Sequence, residues 1–356
     1  MTRSDNHTLI WTGSYTADSG GHGAGIGAVS ANPDATLTWL GTAAKADSPS
    51  FIAVHPSLPV VYAVGETAKT VQAYRRRGEF GLEAAGEPWA AGEAACHVAV
   101  DPGGRFLIVA CWGDGQVLLY ELDADGGMTA RYSAEPSVDP RGDAETDDGG
   151  RPSRAHASLM LADGRIMTTD LGHDLLRVWN YVPGAGLAAD HEVMLPKGSG
   201  PRHLVQHPGG TVFVVSEYSI EVFAVRAASD TGGFELVGRG PATTGGAQEG
   251  DSAAEIALAP DGRHAYVGVR GSNRISVLQV EDGTTDGTTG QLRPLGDFAS
   301  GGDWPRHHLV RNGWLHVAHE RSHDVTTFRL DPDTGLPGDV RHRLVAGSPT
   351  ALVVAS

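Results

Sequence analysis

Apolar and polar residues alternate in short runs along this chain, and tight-turn pairs punctuate the runs. HPSLPVVYAV, DPGGRFLIVA and APDGRHAYVGV each pass from a Pro- or Gly-containing turn into a run rich in Val, Ile, Leu, Tyr and Phe. Such runs are strands by propensity and by length, and the turn pairs supply dihedrals that β-branched residues resist. A third strand follows in most units, as in TVQAYR, QVLLYEL, LLRVWNYV, IEVFAVR, RISVLQV and DVTTFRL. A Gly-rich stretch and a shorter fourth strand, such as FELVG or QLRPLG, complete each unit. No ten-residue segment has convincing helical periodicity, so alternating α/β architectures are not expected.

Ahead of each turn a shorter phrase recurs: SPSFIAVHP, ACHVAVDP, RAHASLML, PRHLVQHP, AAEIALAP and PRHHLV, with a fainter SPTALVVA near the C-terminus. Aligned on their apolar runs, the phrases share one slot, held by Phe51, His97, His156, His203, Glu255, His307 and Ala351. Successive slots lie about 44 to 59 residues apart, the period of four-stranded propeller blades. The expected fold is an all-β, seven-bladed β-propeller of four-stranded antiparallel blades, a single domain over 1–356. LIWTGSY lacks a preceding first strand and SPTALVVAS lacks a second. The two ends are therefore expected to complete one blade and close the ring. Two stretches break the rhythm: the acidic 135–153, read as a loop or lid, and the low-complexity tip 283–290, to which no function is assigned.

Composition narrows the function classes. The chain has 356 residues, 49 of them glycine and 20 proline, which suits a fold dense in tight turns. A net charge of −16 argues against nucleic acid or a membrane surface as partner, since both need a cationic face. A small anionic ligand stays compatible, because a few local arginines outweigh a distant negative surface. No apolar leader or membrane span is visible, and Cys96 and Cys111 are too few for a disulfide framework. A reduced, cytoplasmic location is expected, as a monomer or weak homodimer.

If the slot opens the strand lining the channel, all seven copies lie at one rim. The second strand then returns to that rim with Glu66, Trp112, Asp170, Glu217, Arg270 and Glu320 at its ends, while Arg202 and Arg306 directly precede slot histidines. His97, His307 and Glu255 serve either as ligands or as inter-blade anchors, and Asp170 and Glu66 are turn or blade anchors. His156, His203, Arg202, Glu217 and Arg270 mix acid, base and cation on successive or nearby blades, which marks a candidate site. Cys96 beside His97 suggests a thiolate nucleophile only superficially, because neighbours on a strand face opposite ways. Nucleophile elbow, phosphate loop and paired-cysteine zinc motifs are absent, and no Asp/Asn cluster points to calcium.

WTGSYT, SPSFIAVHP, CHVAVDPGGRFLIVA, TTDLGHDLLRVW, GSGPRHLVQHP, SAAEIALAPDGRHAYVGVRG and WPRHHLV together resemble the lactonase-type seven-bladed propeller family across essentially the whole chain. That family includes cycloisomerase-type 6-phosphogluconolactonases and fungal 3-carboxy-cis,cis-muconate lactonizing enzymes. The resemblance implies His156, Arg202, Glu217 and Arg270 as catalytic residues. His203, His97, His307, Arg306 and Glu255 are taken with them as substrate-binding residues. It implies an anionic lactone or dicarboxylate as the small-molecule partner, with no cofactor or metal required. Arg154 replaces the first histidine of the family's HAH segment, and Gly65-Glu66 and Cys111-Trp112 replace its Asn-Glu and Asn-Tyr strand ends, changes that alter the rim. The expected chemistry is hydrolysis of a sugar-acid lactone, with Glu217 or His156 as base. The alternatives are lactonization of an unsaturated dicarboxylate and a non-catalytic binding propeller.

Overall fold

In the computed structural model, which describes residues 7–142, 150–281 and 291–355, the chain forms seven antiparallel sheets of four-strand order. Blade 1 joins the two ends of the chain: Pro349–Val354 is innermost, followed by Thr8–Ser14, Ile26–Ala31 and Leu37–Ala44. Thr8–Ser14 pairs antiparallel with Pro349–Val354, with Ile10 opposite Val354 and Gly13 opposite Ala351. The ring is thus closed by hydrogen bonds between opposite ends of the sequence, as the truncated first and last units predict. Blades 2 to 7 follow in chain order, with inner strands Ile52–Val54, Ala95–Val100, Ala155–Met160, Pro201–Gln206, Ser252–Leu258 and Pro305–Arg311. In blade 2 the outer strand is interrupted, Gly81–Ala84 and Trp89–Ala90 both pairing with Thr70–Arg77. Among the described residues, helix is confined to the single 3-10 turn Ala17–Ser19.

The core lies between blades rather than at the axis. Second strands such as Phe106–Cys111 are buried along their whole length, because both faces of each sheet are covered by a neighbouring sheet. Apolar clusters of the described residues bridge each adjacent pair. Tyr62 and Val64 of blade 2 meet Leu107 and Leu118 of blade 3, and Ile10 and Leu352 of blade 1 meet Ala318 and Val325 of blade 7. With apolar burial met at the interfaces, the axis is free to carry polar side chains.

The acidic connection 135–153 falls partly outside the described residues, and the tip 283–290 lies wholly outside them. Its flanks are fastened: Ser137 Oγ lies 2.8 Å from His173 Nδ1, and Arg151 Nη2 lies 2.7 Å from Asp139 Oδ1. Both flanks therefore sit against the blade 4 turn that follows Asp170.

Ring closure gives a direct test. Leu352→Ala, at a position 3% exposed between blades 1 and 7, should cost about 2–5 kcal/mol, read as a lower denaturant midpoint. Removal of the closing strand from Ser348 onward should abolish the single cooperative unfolding transition.

Candidate active site

The inner strands do not begin as regular β-structure. In six blades the register shifts by one residue at the start of the inner pair: Pro201 faces Ser216 and His203 faces Val215, leaving Arg202 as the extra residue. The same shift isolates Arg306, Cys96 and Thr350, and equivalent irregularities follow Ala155 and Ala253. A bulge of this kind re-aims a side chain, so two consecutive residues can face the same way. Both members of each pair Cys96–His97, Arg202–His203, Arg306–His307 and Ser50–Phe51 line one axial cavity, with His156, Glu255 and Thr350. The strict alternation expected for Cys96 and His97 therefore does not hold at this end of the strand. Cys96 is nevertheless no nucleophile: burial pushes its thiol far above the ordinary range, and Sγ points at the carbonyls of His156 and Ala110.

The slot residues form a layer across the channel. The Phe51 ring lies 4.3 Å from His97, 5.6 Å from His307 and 6.3 Å from His203, centroid to centroid, so one phenyl ring fills the axis among imidazoles of three other blades. His97 Nδ1 faces Ser158 N and Oγ in blade 4 at 3.4 and 3.3 Å, and Leu352 N of blade 1 donates to His307 Nδ1 at 3.3 Å. These two histidines thus tie neighbouring blades together. Glu255 lies between His203 Nδ1 (3.3 Å) and His307 Nε2 (3.6 Å). Burial holds Glu255 well above the carboxylate range against the pull of Arg202, so it carries a proton. Burial likewise keeps His156, His203 and His307 far below their ordinary value, and lowers His97 to about 3, leaving all four neutral. Beyond this layer the channel widens into a cavity of about 440 Å³ lined mainly by Leu204, Ile256, Leu258 and Leu309.

On the near side a charged tier surrounds Glu217, which directly follows the second strand of blade 5, Val212–Ser216. Its Oε2 lies 2.9 Å from Arg202 Nε and 3.0 Å from Arg270 Nη2. Burial alone would raise Glu217, but Arg270 and Arg202 more than offset this and hold it below the usual value. Burial and the neighbouring Arg202 lower Arg270 to about 9, which still leaves it a cation at neutral pH. Arg270 also donates to Ser252 Oγ at 2.6 Å. Five buried side-chain atoms on residues lining the axial cavity have no hydrogen-bond partner: Ser50 Oγ, His156 Nδ1, Arg202 Nε (despite its closeness to Glu217), His203 Nδ1 and Thr350 Oγ1. The cavity, at about 10 Å³, matches a single water molecule.

Arg306 sits in a different environment. Its Nη1 pairs with Glu320 at 3.0 Å and its Nη2 donates to Tyr15 Oη at 2.6 Å, while Tyr15 bonds Glu66 at 3.1 Å. Burial opposes the Arg306 charge, but Tyr15, Glu320 and Glu66 more than restore it. Asp170 is a turn anchor, accepting from Ser153 Oγ and the amides of Arg154, Gly172 and His173. Trp112 lies under Arg154, whose guanidinium carbon is 4.3 Å from the indole centroid. Tyr15, Ser252 and Thr350 belong to the site without having been singled out by residue type, and Cys96, set aside on strand alternation, belongs to it as well. A polar or small residue recurring just before the slot was the one sequence signal for Thr350. Tyr218, 56% exposed, packs over Gly200, whose φ of +65° and missing Cβ both matter: a Cβ there would lie 2.5 Å from the Tyr218 ring.

Buried arginines, a carboxylate and neutral imidazoles thus gather on one face of a seven-bladed ring. The family follows from comparison: residues 9–354 match the family described as lactonase, 7-bladed beta-propeller, and the chain belongs to it. A 6-phosphogluconolactonase of Bacillus subtilis is 26% identical over 301 residues, 82% of this chain and 83% of that protein. A 6-phosphogluconolactonase of Formosa agariphila is 25% identical over 73% of this chain and 74% of its own. Among solved structures, a Lactobacillus plantarum protein superposes with TM-score 0.86 at 23% identity, covering 98% of this chain and 100% of that one. The periplasmic gluconolactonase of Pseudomonas aeruginosa superposes with TM-score 0.84 at 22% identity, covering 99% of each chain. Among the described residues, no group of three or more His, Cys, Asp or Glu side chains is placed to hold a metal ion.

The protonation pattern has a measurable sign. Below about pH 6.5 the unfolded chain takes up protons that His97, His156, His203 and His307 refuse when folded, so stability falls with pH there. Glu255 acts oppositely: above about pH 4.5 its proton is lost on unfolding, which costs stability at neutral pH. Four groups outweigh one, so Tm should decline from about pH 7.5 to about pH 5. Glu255→Gln should raise Tm at neutral pH, with the gain shrinking towards pH 4.5; a pH-independent gain would refute a protonated Glu255.

Proposed function

We propose that this protein is a lactonase that hydrolyses an anionic sugar-acid lactone. The observation that carries the reading is that a potential base, His156 Nδ1, and a cationic donor, Arg202 Nε–H, are among the five partnerless groups around a cavity of one-water size beside the Arg202–Glu217–Arg270 cluster. A sugar ring does not fit that cavity, so the lactone rests on the outer tier with its carbonyl towards Arg202. Water in the cavity loses a proton to His156 as its oxygen adds to the carbonyl carbon. The ring C–O bond then breaks, and the ring oxygen takes the proton back from the imidazolium. General-base help of this kind contributes roughly 10²–10⁴ in rate. Arg202 and Arg270 neutralise the oxyanion, in a setting dry enough for charge–charge terms to count.

His156 suits the base role better than Glu217. The Glu217 oxygen nearest the cations already sits between two guanidinium groups, which lowers its basicity, whereas the His156 imidazole is neutral with a free edge. An anionic substrate beside Arg202 also offsets one of the charges that disfavour the imidazolium. Glu217 then holds the two arginines in register. The lactonase names of two relatives, at 26% and 25% identity, support the reaction class.

A panel of phosphorylated and unphosphorylated sugar lactones, with a carboxymuconate for comparison, tests the reading. His156→Ala should lower kcat by roughly 10²-fold or more. Arg270→Ala should mainly raise KM for the anionic lactone. Glu217→Gln should lower kcat/KM while keeping the pH–rate limb of the base in place. Wild-type protein that opens no lactone would overturn the proposal. Product from a muconate without consumption of water would favour lactonizing chemistry on the same residues.

A further inference from the structure

Two histidines meet across the seam where the ends of the chain close the ring. His22 stands in the connection between Thr8–Ser14 and Ile26–Ala31 of blade 1. His323 stands in the turn between Trp314–His319 and Asp324–Leu330 of blade 7. Their ring nitrogens face each other: His22 Nδ1 lies 2.7 Å from His323 Nε2, and the rings meet edge to face with centroids 4.2 Å apart. Neither residue lines the axial cavity or joins the Glu217 tier. His22 is exposed and His323 half-buried, so an ion can reach the pair from solvent.

The surroundings hold both imidazoles in place. Ser348, just before the closing strand, joins them: the His22 N–H donates to its Oγ at 2.9 Å, and His323 Nδ1 lies 3.1 Å from the same oxygen. The His323 carbonyl accepts from Ala346 N at 2.9 Å, and Gly23 N donates to the Tyr15 carbonyl at 2.8 Å. Gly347 lets the two segments approach, since a Cβ there would collide with the His22 carbonyl oxygen. A serine oxygen has two lone pairs, so it can accept from both the His22 amide and a His323 Nδ1–H. His323 then presents its Nε2 lone pair to His22, its other nitrogen tied to a neighbour as in metal-bound histidines.

We propose that His22 and His323 form a clasp for one divalent transition-metal ion of the zinc, copper or nickel kind, the ions that imidazole suits. The ion takes the place of the shared hydrogen: the His22 ring proton moves to Nε2, and both facing lone pairs turn to the metal. Two Zn–N bonds of about 2.0–2.1 Å at a tetrahedral angle set the nitrogens about 3.3 Å apart. The exposed His22, flanked by Gly21 and Gly23, supplies that small opening. Among the described residues no third His, Cys, Asp or Glu side chain joins the pair, so water completes the coordination, and the site is weaker than a closed four-ligand one. The two ligands are 301 residues apart, so the ion meets both only in the closed ring, and its binding stabilises closure.

Calorimetric titration with Zn²⁺ and thermal unfolding of wild type, His22→Ala and His323→Asn test the clasp. Asn is chosen because His323 has φ 56°, a left-handed conformation that Asn tolerates. Wild type should bind one Zn²⁺ per chain, and its Tm should rise on saturation and fall back with EDTA. Each variant should lose at least the roughly tenfold in affinity that removal of an outer partner costs a metal site. Each should also gain less in Tm at the same Zn²⁺ concentration. Zinc taken up by other histidines of the unfolded chain affects all three proteins almost alike, so the difference in Tm gain reports the clasp. No saturable one-to-one uptake by wild type, a loss in only one variant, or an equal Tm gain in all three would each overturn the proposal. The pair would then be only a hydrogen bond between blades. Lactone turnover plays no part in this test, so its outcome is independent of the hydrolase reading.

Discussion

One extra residue at the start of the inner strand in six of the seven blades is the constraint on which the site depends. A regular strand sends neighbouring side chains to opposite faces, so a blade could offer the channel only every second residue. The register shift at Pro201/His203 and Pro305/His307 lets each of these blades deliver both an arginine and an imidazole to the axis. The same shift brings Cys96 to the cavity wall beside His97. Bulges cost regular pairing, and the structure recovers the freed groups across blades. Thr169 Oγ1, for example, donates to the carbonyl of Arg202 at 3.0 Å.

A polar axis is tolerable because apolar burial is satisfied elsewhere. Each sheet is sandwiched between two others, and the clusters that join them take up residues such as Trp11, Trp179, Phe213 and Tyr266. Protonation keeps most axial groups uncharged, with Glu255 protonated and its histidine neighbours neutral. Charge is confined to the near-side tier, where three arginines and the glutamates Glu217 and Glu320 offset one another. Five partnerless polar atoms, His156 Nδ1 and Arg202 Nε among them, lie on residues that line the axial cavity.

Much of this was legible in the chain. The period of the recurring phrase, the turn pairs and the incomplete end units specify the seven blades and their closure. The slot itself marks the residues at the axis, because every copy occupies an equivalent place around it. The roles within the slot were less legible. His97 and His307 each face a backbone N–H of the next blade, and no property of the histidine itself distinguishes that use from ligand binding. Asp170 ends its strand and Glu217 directly follows its own, yet Asp170 caps a turn with Ser153 and His173 while Glu217 joins two arginines. Tyr15 reaches Arg306 only because ring closure brings blades 1 and 7 side by side, a contact spanning nearly the whole chain.

The sequence by itself determined the architecture and the set of groups brought to one rim, because strand periodicity and turn chemistry act locally and repeat. Tertiary structure alone decided which of those groups are ionised, which are consumed in holding blades together, and which are left without partners. Those outcomes depend on burial and on neighbours from other blades, such as Arg202 with Arg270 or Phe51 with His97, His203 and His307. Distances of a few ångströms set these energies, and residues far apart in the chain come that close only when the ring is closed.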